Sequence, residues 1–209
     1  ADVVKAIEKY RFTIDETSYV FLEFGAGGVP AGTATMLAQL MSKGFVPIIS
    51  HPERNRGFAA RPELLFEFVS MGCAAQVTAA SVTGELGREV RTTAGLFMVN
   101  NLVHIIASDA HRALGRPPGL SRAVEAASKI VGESKARAMV TEIPRAILEN
   151  KALPDWGEPE NPLARNRAVT LYCIRRGFIK EGTLNMQGIL NELRNIHIEF
   201  VYNPDIGEC

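Results

Sequence analysis

The amino-acid sequence predicts a parallel α/β fold, arranged as part of a βα barrel, with a C-terminal α+β appendage. Three observations lead there. From residue 19 to about residue 150, short β-rich apolar runs alternate with longer segments of helical spacing, and loops containing Gly or Pro separate them. The strand runs are nearly continuous in apolar residues, as expected of a parallel sheet covered by helices on its outer face. Four such units occur in series, about half of an eight-stranded barrel.

In chain order, the strand candidates are residues 19–24, 45–50, 73–77 and 102–107. Gly25-Ala26-Gly27-Gly28 lacks the spacing of a nucleotide fingerprint and reads as a loop. Residues 32–43 place Met36, Leu37, Leu40 and Met41 at helical spacing, and Gly44 suits the stop. Residues 62–71 carry Pro62 at the first turn and Leu64, Leu65, Phe68 and Val69 on one side. Residues 119–131 and 133–150 give two further helices, with Pro144 expected to break the second. The expected organisation is a partial barrel over 1–153, a Pro-rich linker over 154–163, and a tail over 164–209. The tail shows a strand at 168–174, a helix near 185–194 and a strand at 197–202.

Composition narrows the function. The 209 residues carry 23 basic and 23 acidic side chains, so no global charge draws the chain to nucleic acid or to an anionic membrane surface. No apolar run is long enough for membrane insertion, and the start lacks the basic and apolar regions of a signal peptide. Cys73, Cys173 and Cys209 form neither a CxxC pair nor an even disulfide set, which fits reduced thiols in the cytoplasm. None lies in a Cys-x5-Arg phosphate loop, and no Gly-x-Ser-x-Gly elbow occurs, leaving a metal-activated water as the expected nucleophile.

Chemistry collects at strand ends, where parallel α/β folds build their sites. The second strand runs into His51-Pro52-Glu53-Arg54-Asn55, the fourth into Ser108-Asp109-Ala110-His111, and Glu23 lies near the end of the first. If the fourth strand stays extended, Asp109 and His111 point to the same side. Glu23, His51, Asp109 and His111 form the ligand mixture of zinc, manganese or iron. Arg54 and Arg116 are the candidate phosphate binders, since a guanidinium grips two oxygens and stays charged. His104 and His197 fit the core or hydrogen-bonded surface positions better than a metal site.

The strings Pro47-Ile48-Ile49-Ser50-His51-Pro52-Glu53-Arg54-Asn55, Ala107-Ser108-Asp109-Ala110-His111 and Arg116-Pro117-Pro118 resemble the bacterial capsule-associated protein-tyrosine phosphatases of the polymerase-and-histidinol-phosphatase superfamily. The resemblance runs from about Thr17 to Leu153. It implies a distorted βα barrel holding divalent metal ions, commonly manganese, that hydrolyses phosphotyrosine on polysaccharide-export tyrosine kinases. It further implies metal ligation by Glu23, His51, Asp109 and His111, phosphate contacts from Arg54 and Arg116, and a catalytic part for Arg54, Asp109 and His111. The family's first strand bears a His-x-His pair that this sequence lacks, and its histidine after the third strand has no counterpart in Val77-Thr78-Ala79-Ala80-Ser81. The chain is therefore expected to be the later part of such a barrel, with edges that a second copy would cover. The alternatives are a small-molecule phosphatase, such as one acting on histidinol phosphate, and a degenerate, non-catalytic scaffold that binds a partner.

Overall fold

A computed structural model describes residues 3–25, 27–111, 118–164, 179–180 and 183–184. The elements are α1 (Val3–Tyr10), β1 (Tyr19–Leu22), α2 (Thr33–Ser42), β2 (Val46–Ser50), α3 (Arg56–Ala60), α4 (Glu63–Ser70), β3 (Ala74–Thr78), α5 (Ala79–Thr83), α6 (Arg88–Val99), β4 (Ile105–Ala107), α7 (Ser121–Val131), α8 (Glu133–Ala138) and α9 (Glu142–Leu148). The four strands form one sheet in the order β1-β2-β3-β4, with every pairing parallel. This is the expected parallel α/β architecture.

One turn type aims three of the strands. At the end of α2, Gly44 N–H donates to Met41 O and Phe45 N–H to Leu40 O; at the end of α4, Gly72 and Cys73 donate in the same way to Val69 and Phe68. Asn101 and Leu102 repeat the pattern onto Met98 and Phe97 after α6. Each is a Schellman turn, which satisfies the last helical carbonyls and sends the chain straight into the next strand.

Alternation then divides the strand residues between two faces. Val20, Leu22, Ile49, Ala75, Val77 and Ile106 pack with Leu37, Leu40, Leu65, Phe68, Phe97 and Met139 from the helices. On the other face Tyr19, Ile48, Ala74 and Ile105 pack with Ile143 and Ile147 of α9. Cover on both faces explains why the strands read as unbroken apolar runs.

The helix expected over 133–150 breaks at Met139–Thr141, ahead of Pro144. Pro144 sits in the first turn of α9 instead, where its missing N–H has no partner within the helix to lose. Helix α6 was not anticipated, because Arg88, Arg91, Thr92 and Thr93 dilute its apolar side to Ala94, Phe97 and Met98.

The chain divides into two compact units, Ala1–Leu163 and Ala164–Cys209. Residues 154–163, whose composition suggests a linker, make specific contacts within the first unit. Trp156 Nε1 donates to Val103 O at 2.7 Å, Asn101 Nδ2 to Glu158 O at 2.9 Å, and Glu160 N–H to Asn100 O at 2.9 Å. Lys135 lies 4.5 Å above the Trp156 ring and donates to its carbonyl. Prolines give an extended backbone in a linker and in a packed arm alike; the indole decides between them here. In the second unit, Ile179–Lys180 pairs antiparallel with Thr183–Leu184. The tail elements expected at 168–174, 185–194 and 197–202 lie outside the described residues. Among the described residues no helix is long and apolar enough to cross a membrane.

Candidate active site

The strand-end residues meet at the C-terminal edge of the sheet. After β2, His51 turns into the left-handed region, at φ 33 and ψ 55, and its N–H donates to Gln76 O of β3 at 2.7 Å. A short 3-10 turn, Pro52–Arg54, follows. Side chains of this stretch divide between scaffold and surface. Pro52, Glu53 and Asn55 are buried, while His51 and Arg54 stay partly open.

The buried members hold the turn in place. Glu53 accepts from Thr78 N–H at 2.9 Å and from Ser81 Oγ–H at 2.6 Å. Burial pushes its carboxyl above the ordinary value, against the hydrogen bonds from Ser81 and Thr78 and the nearby His51, which pull it down. Asn55 caps α3 by accepting from Gly57 and Phe58 N–H, and its amide donates to Gly25 O at 2.8 Å. That second bond ties the turn to the loop after β1. The same two loops touch at Gly57, where a Cβ would stand 2.9 Å from Gly28 Cα and Val29 N. Replacing Asn55 by alanine removes both the cap and the tie. Asn55→Ala is expected to lower unfolding free energy by about 1–2 kcal/mol in a denaturant titration. Unchanged stability would show that the loops hold themselves.

The open members pair across the strand ends. Glu23 follows β1 directly and brings its carboxylate 3.4 Å from His51 Nε2. Arg54 Nη1 donates to Asp109 Oδ2 at 2.7 Å. Beyond β4 the backbone does not remain extended, because Asp109 adopts φ 50. His111 therefore meets Asp109 through the chain's own turn: its Nδ1 lies 2.7 Å from the Asp109 carbonyl and 3.7 Å from Oδ1. A carbonyl only accepts, so in this contact Nδ1 is the donor, and in the neutral ring the lone pair lies on Nε2. The exposed ring turns Nε2, the nitrogen not engaged with the carbonyl, to candidate ligation. Arg116 lies outside the described residues.

Two non-glycine residues with left-handed backbone, His51 and Asp109, thus sit at the candidate ligand positions. Such conformations cost about 1–3 kcal/mol each and persist where neighbours over-determine them. In donor chemistry, two imidazoles and two carboxylates suit a divalent transition metal. In number they are short: among the described residues, no group of three or more His, Cys, Asp or Glu stands close enough to hold an ion. The pairs Glu23–His51 and Asp109–His111 are the candidate ligand types that the described residues bring together.

Sequence reasoning missed Glu53 and Ser81. Ser81 lies in the stretch that offers no counterpart to the family's histidine, yet its hydroxyl is a partner of Glu53. His104, expected in the core, is 7% exposed, and its Nδ1 accepts from Ala75 N–H at 3.2 Å. Cys73 is also buried, and burial pushes its thiol up to about 12, which removes it as a thiolate nucleophile.

Known proteins share this fold. The family described as capsular polysaccharide synthesis, CpsB/CapC, matches residues 1–149. Tyrosine-protein phosphatase YwqE of Bacillus subtilis (strain 168) is 32% identical over 165 residues, covering 79% of this chain and 64% of the relative. A solved structure from work on YwqE from Bacillus subtilis and CpsB from Streptococcus pneumoniae, described as unique metal-dependent tyrosine phosphatases, superposes with a TM-score of 0.73 at 30% identity. It covers 77% of this chain and 65% of that one, so the chain spans a little under two thirds of these relatives. A 44-residue stretch is in addition 46% identical to cytidylate kinase of Porphyromonas gingivalis (strain ATCC BAA-308 / W83), over 21% of this chain and 19% of that enzyme. Family match and fold agree: the chain belongs to the CpsB/CapC family of capsular polysaccharide synthesis.

Proposed function

We propose that this chain carries one rim of a metal-dependent phosphomonoesterase site that acts on phosphotyrosine in proteins of capsule or exopolysaccharide synthesis. The observation that supports it best is the clamped turn His51–Arg54. It sets a metal-type imidazole and a phosphate-type guanidinium side by side, 3.4 Å from Glu23 and 2.7 Å from Asp109 respectively. Glu23, His51, Asp109 and His111 would hold divalent metal, with manganese the proposed ion and iron or zinc the alternatives. Bound metal would supply an activated water. Arg54, joined by Arg116, binds the phosphoryl oxygens and offsets their charge. In this reading Asp109 or His111, beside the reacting group, gives the tyrosine oxygen its proton.

The proposed substrate is a phosphotyrosine protein, a polysaccharide-export tyrosine kinase. A cytoplasmic location belongs to this reading and is supported by the free thiol of Cys73. Association with a second copy is supported by Phe21, which is exposed on the outer strand β1.

The test is phosphate release from a phosphotyrosine peptide and from histidinol phosphate, with added manganese and with a chelator. The expected result is metal-dependent release from the peptide, abolished by His51→Ala. Turnover of histidinol phosphate alone would replace this reading with a small-molecule phosphatase. Neither bound metal nor turnover would leave the non-catalytic scaffold, the reading favoured by the absence of three gathered ligands among the described residues.

A further inference from the structure

We propose that Glu53 is a positioning residue, which holds His51 and Arg54 in working geometry without touching the reacting groups; the proposal rests on the phosphatase reading. Glu53 stands between the two in sequence yet faces the other way, only 2% exposed. Carboxylates are almost never buried so completely without partners. Its partners come from the next strand and the helix after it: Thr78 N–H at 2.9 Å and Ser81 Oγ–H at 2.6 Å, both on Oε1.

Together with the bond from His51 N–H to Gln76 O at 2.7 Å, these contacts stitch the 51–54 turn to β3 and α5 at two points. Between those points His51 keeps a left-handed backbone that a β-carbon disfavours. Released from either stitch, the turn would relax toward a negative φ, carrying the imidazole away from Glu23 and the guanidinium away from Asp109. Neither His51 nor Arg54 supplies a hydrogen bond to the Glu53 carboxylate, so the side chain acts through the backbone it anchors.

The second carboxylate oxygen sharpens the inference. Oε2 is buried and has no hydrogen-bond partner among the described residues. A dry, unpartnered carboxylate oxygen is costly, and a side chain selected for stability alone would be apolar or fully bonded. What Glu53 provides in return is a reach from the 3-10 turn to two donors that lie 25 and 28 residues further along the chain.

The experiment compares Glu53→Ala, Glu53→Gln and Ser81→Ala in crystal structures without metal and in aryl-phosphate kinetics with manganese. In Glu53→Ala, φ of His51 is expected to leave the left-handed region, the Arg54–Asp109 contact to open, and kcat/KM to fall by roughly 10-fold to 10²-fold, as for reacting groups misplaced by about 1 Å. Glu53→Gln, whose amide oxygen accepts the same two bonds, restores both the conformation and the rate. Ser81→Ala, which removes one bond and leaves the backbone stitch, shows an intermediate loss and serves if Glu53→Ala does not fold. Ile147→Ala, on the buried side of α9, lowers stability without moving kcat/KM and separates positioning from general destabilisation. The proposal is overturned if His51 keeps its conformation in Glu53→Ala, or in Ser81→Ala where Glu53→Ala fails to fold, or if Glu53→Gln is as impaired as Glu53→Ala. Should the unmodified chain show no turnover, the phosphatase reading falls, and the crystal structures still decide the role of Glu53.

Discussion

Arg54→Lys is expected to lower kcat/KM for a phosphotyrosine peptide by about 10²-fold to 10³-fold, the usual loss when one preorganised donor to a developing anion is removed. Lysine keeps the charge, so the size of the effect measures geometry. The Arg54 guanidinium donates through Nη1 to Asp109 at 2.7 Å while its side chain remains 31% exposed. One edge of the planar fork is thus oriented by the carboxylate, and the other donors are left for a substrate. An ammonium group offers no second edge: it either stays with Asp109 or turns to the phosphate. Stability should change little, because a partly exposed ion pair contributes about 0–1 kcal/mol. Steady-state kinetics beside a denaturant titration would separate the two effects. A lysine variant with full kcat/KM would remove Arg54 from the site.

The fold was legible because its signals are local. Strand and helix periodicity, together with Gly44, gave the order of elements, and the four strands pair in that order. Placement of His51, Asp109 and Glu23 at strand ends was legible for the same reason. What stayed hidden depends on pairs far apart in sequence. Arg54 meets Asp109 across 55 residues and Trp156 meets Val103 across 53, and no periodicity reports such a pairing. The left-handed turns at His51 and Asp109 were hidden too, since neither residue type announces positive φ as glycine does. Within His51-Pro52-Glu53-Arg54-Asn55 the sequence shows several polar groups of equal standing. Only burial sorts them into those that hold the turn and those that stay open at the strand ends.

Acid is expected to unfold this domain through His104. Burial, reinforced by the charge of Lys135, lowers the pKa of His104 from 6.5 to about 4. An imidazole in the unfolded chain takes up its proton near 6.5, whereas the folded one resists until about 4. Between these values the unfolded state binds more protons, so folding stability is complete above about 6.5, falls as the pH drops through the window, and has lost its full share below 4. At 1.36 kcal/mol per unit, that share is on the order of 3 kcal/mol. The geometry gives the reason: Nδ1 must remain unprotonated to accept from Ala75 N–H, so a second ring proton would break that bond and bury a charge beside Lys135. Denaturant titrations at pH 7 and pH 4.5 test this against His104→Asn, whose amide oxygen can take over the bond from Ala75. The difference in stability between the two pH values should shrink by about 2 kcal/mol or more in the variant. The chain's single tryptophan offers a second readout, because the Trp156 ring lies 5.8 Å from the imidazole and protonation should quench its fluorescence as the transition begins. Equal acid sensitivity in both proteins would move the cause to the carboxylates at the other end of the sheet.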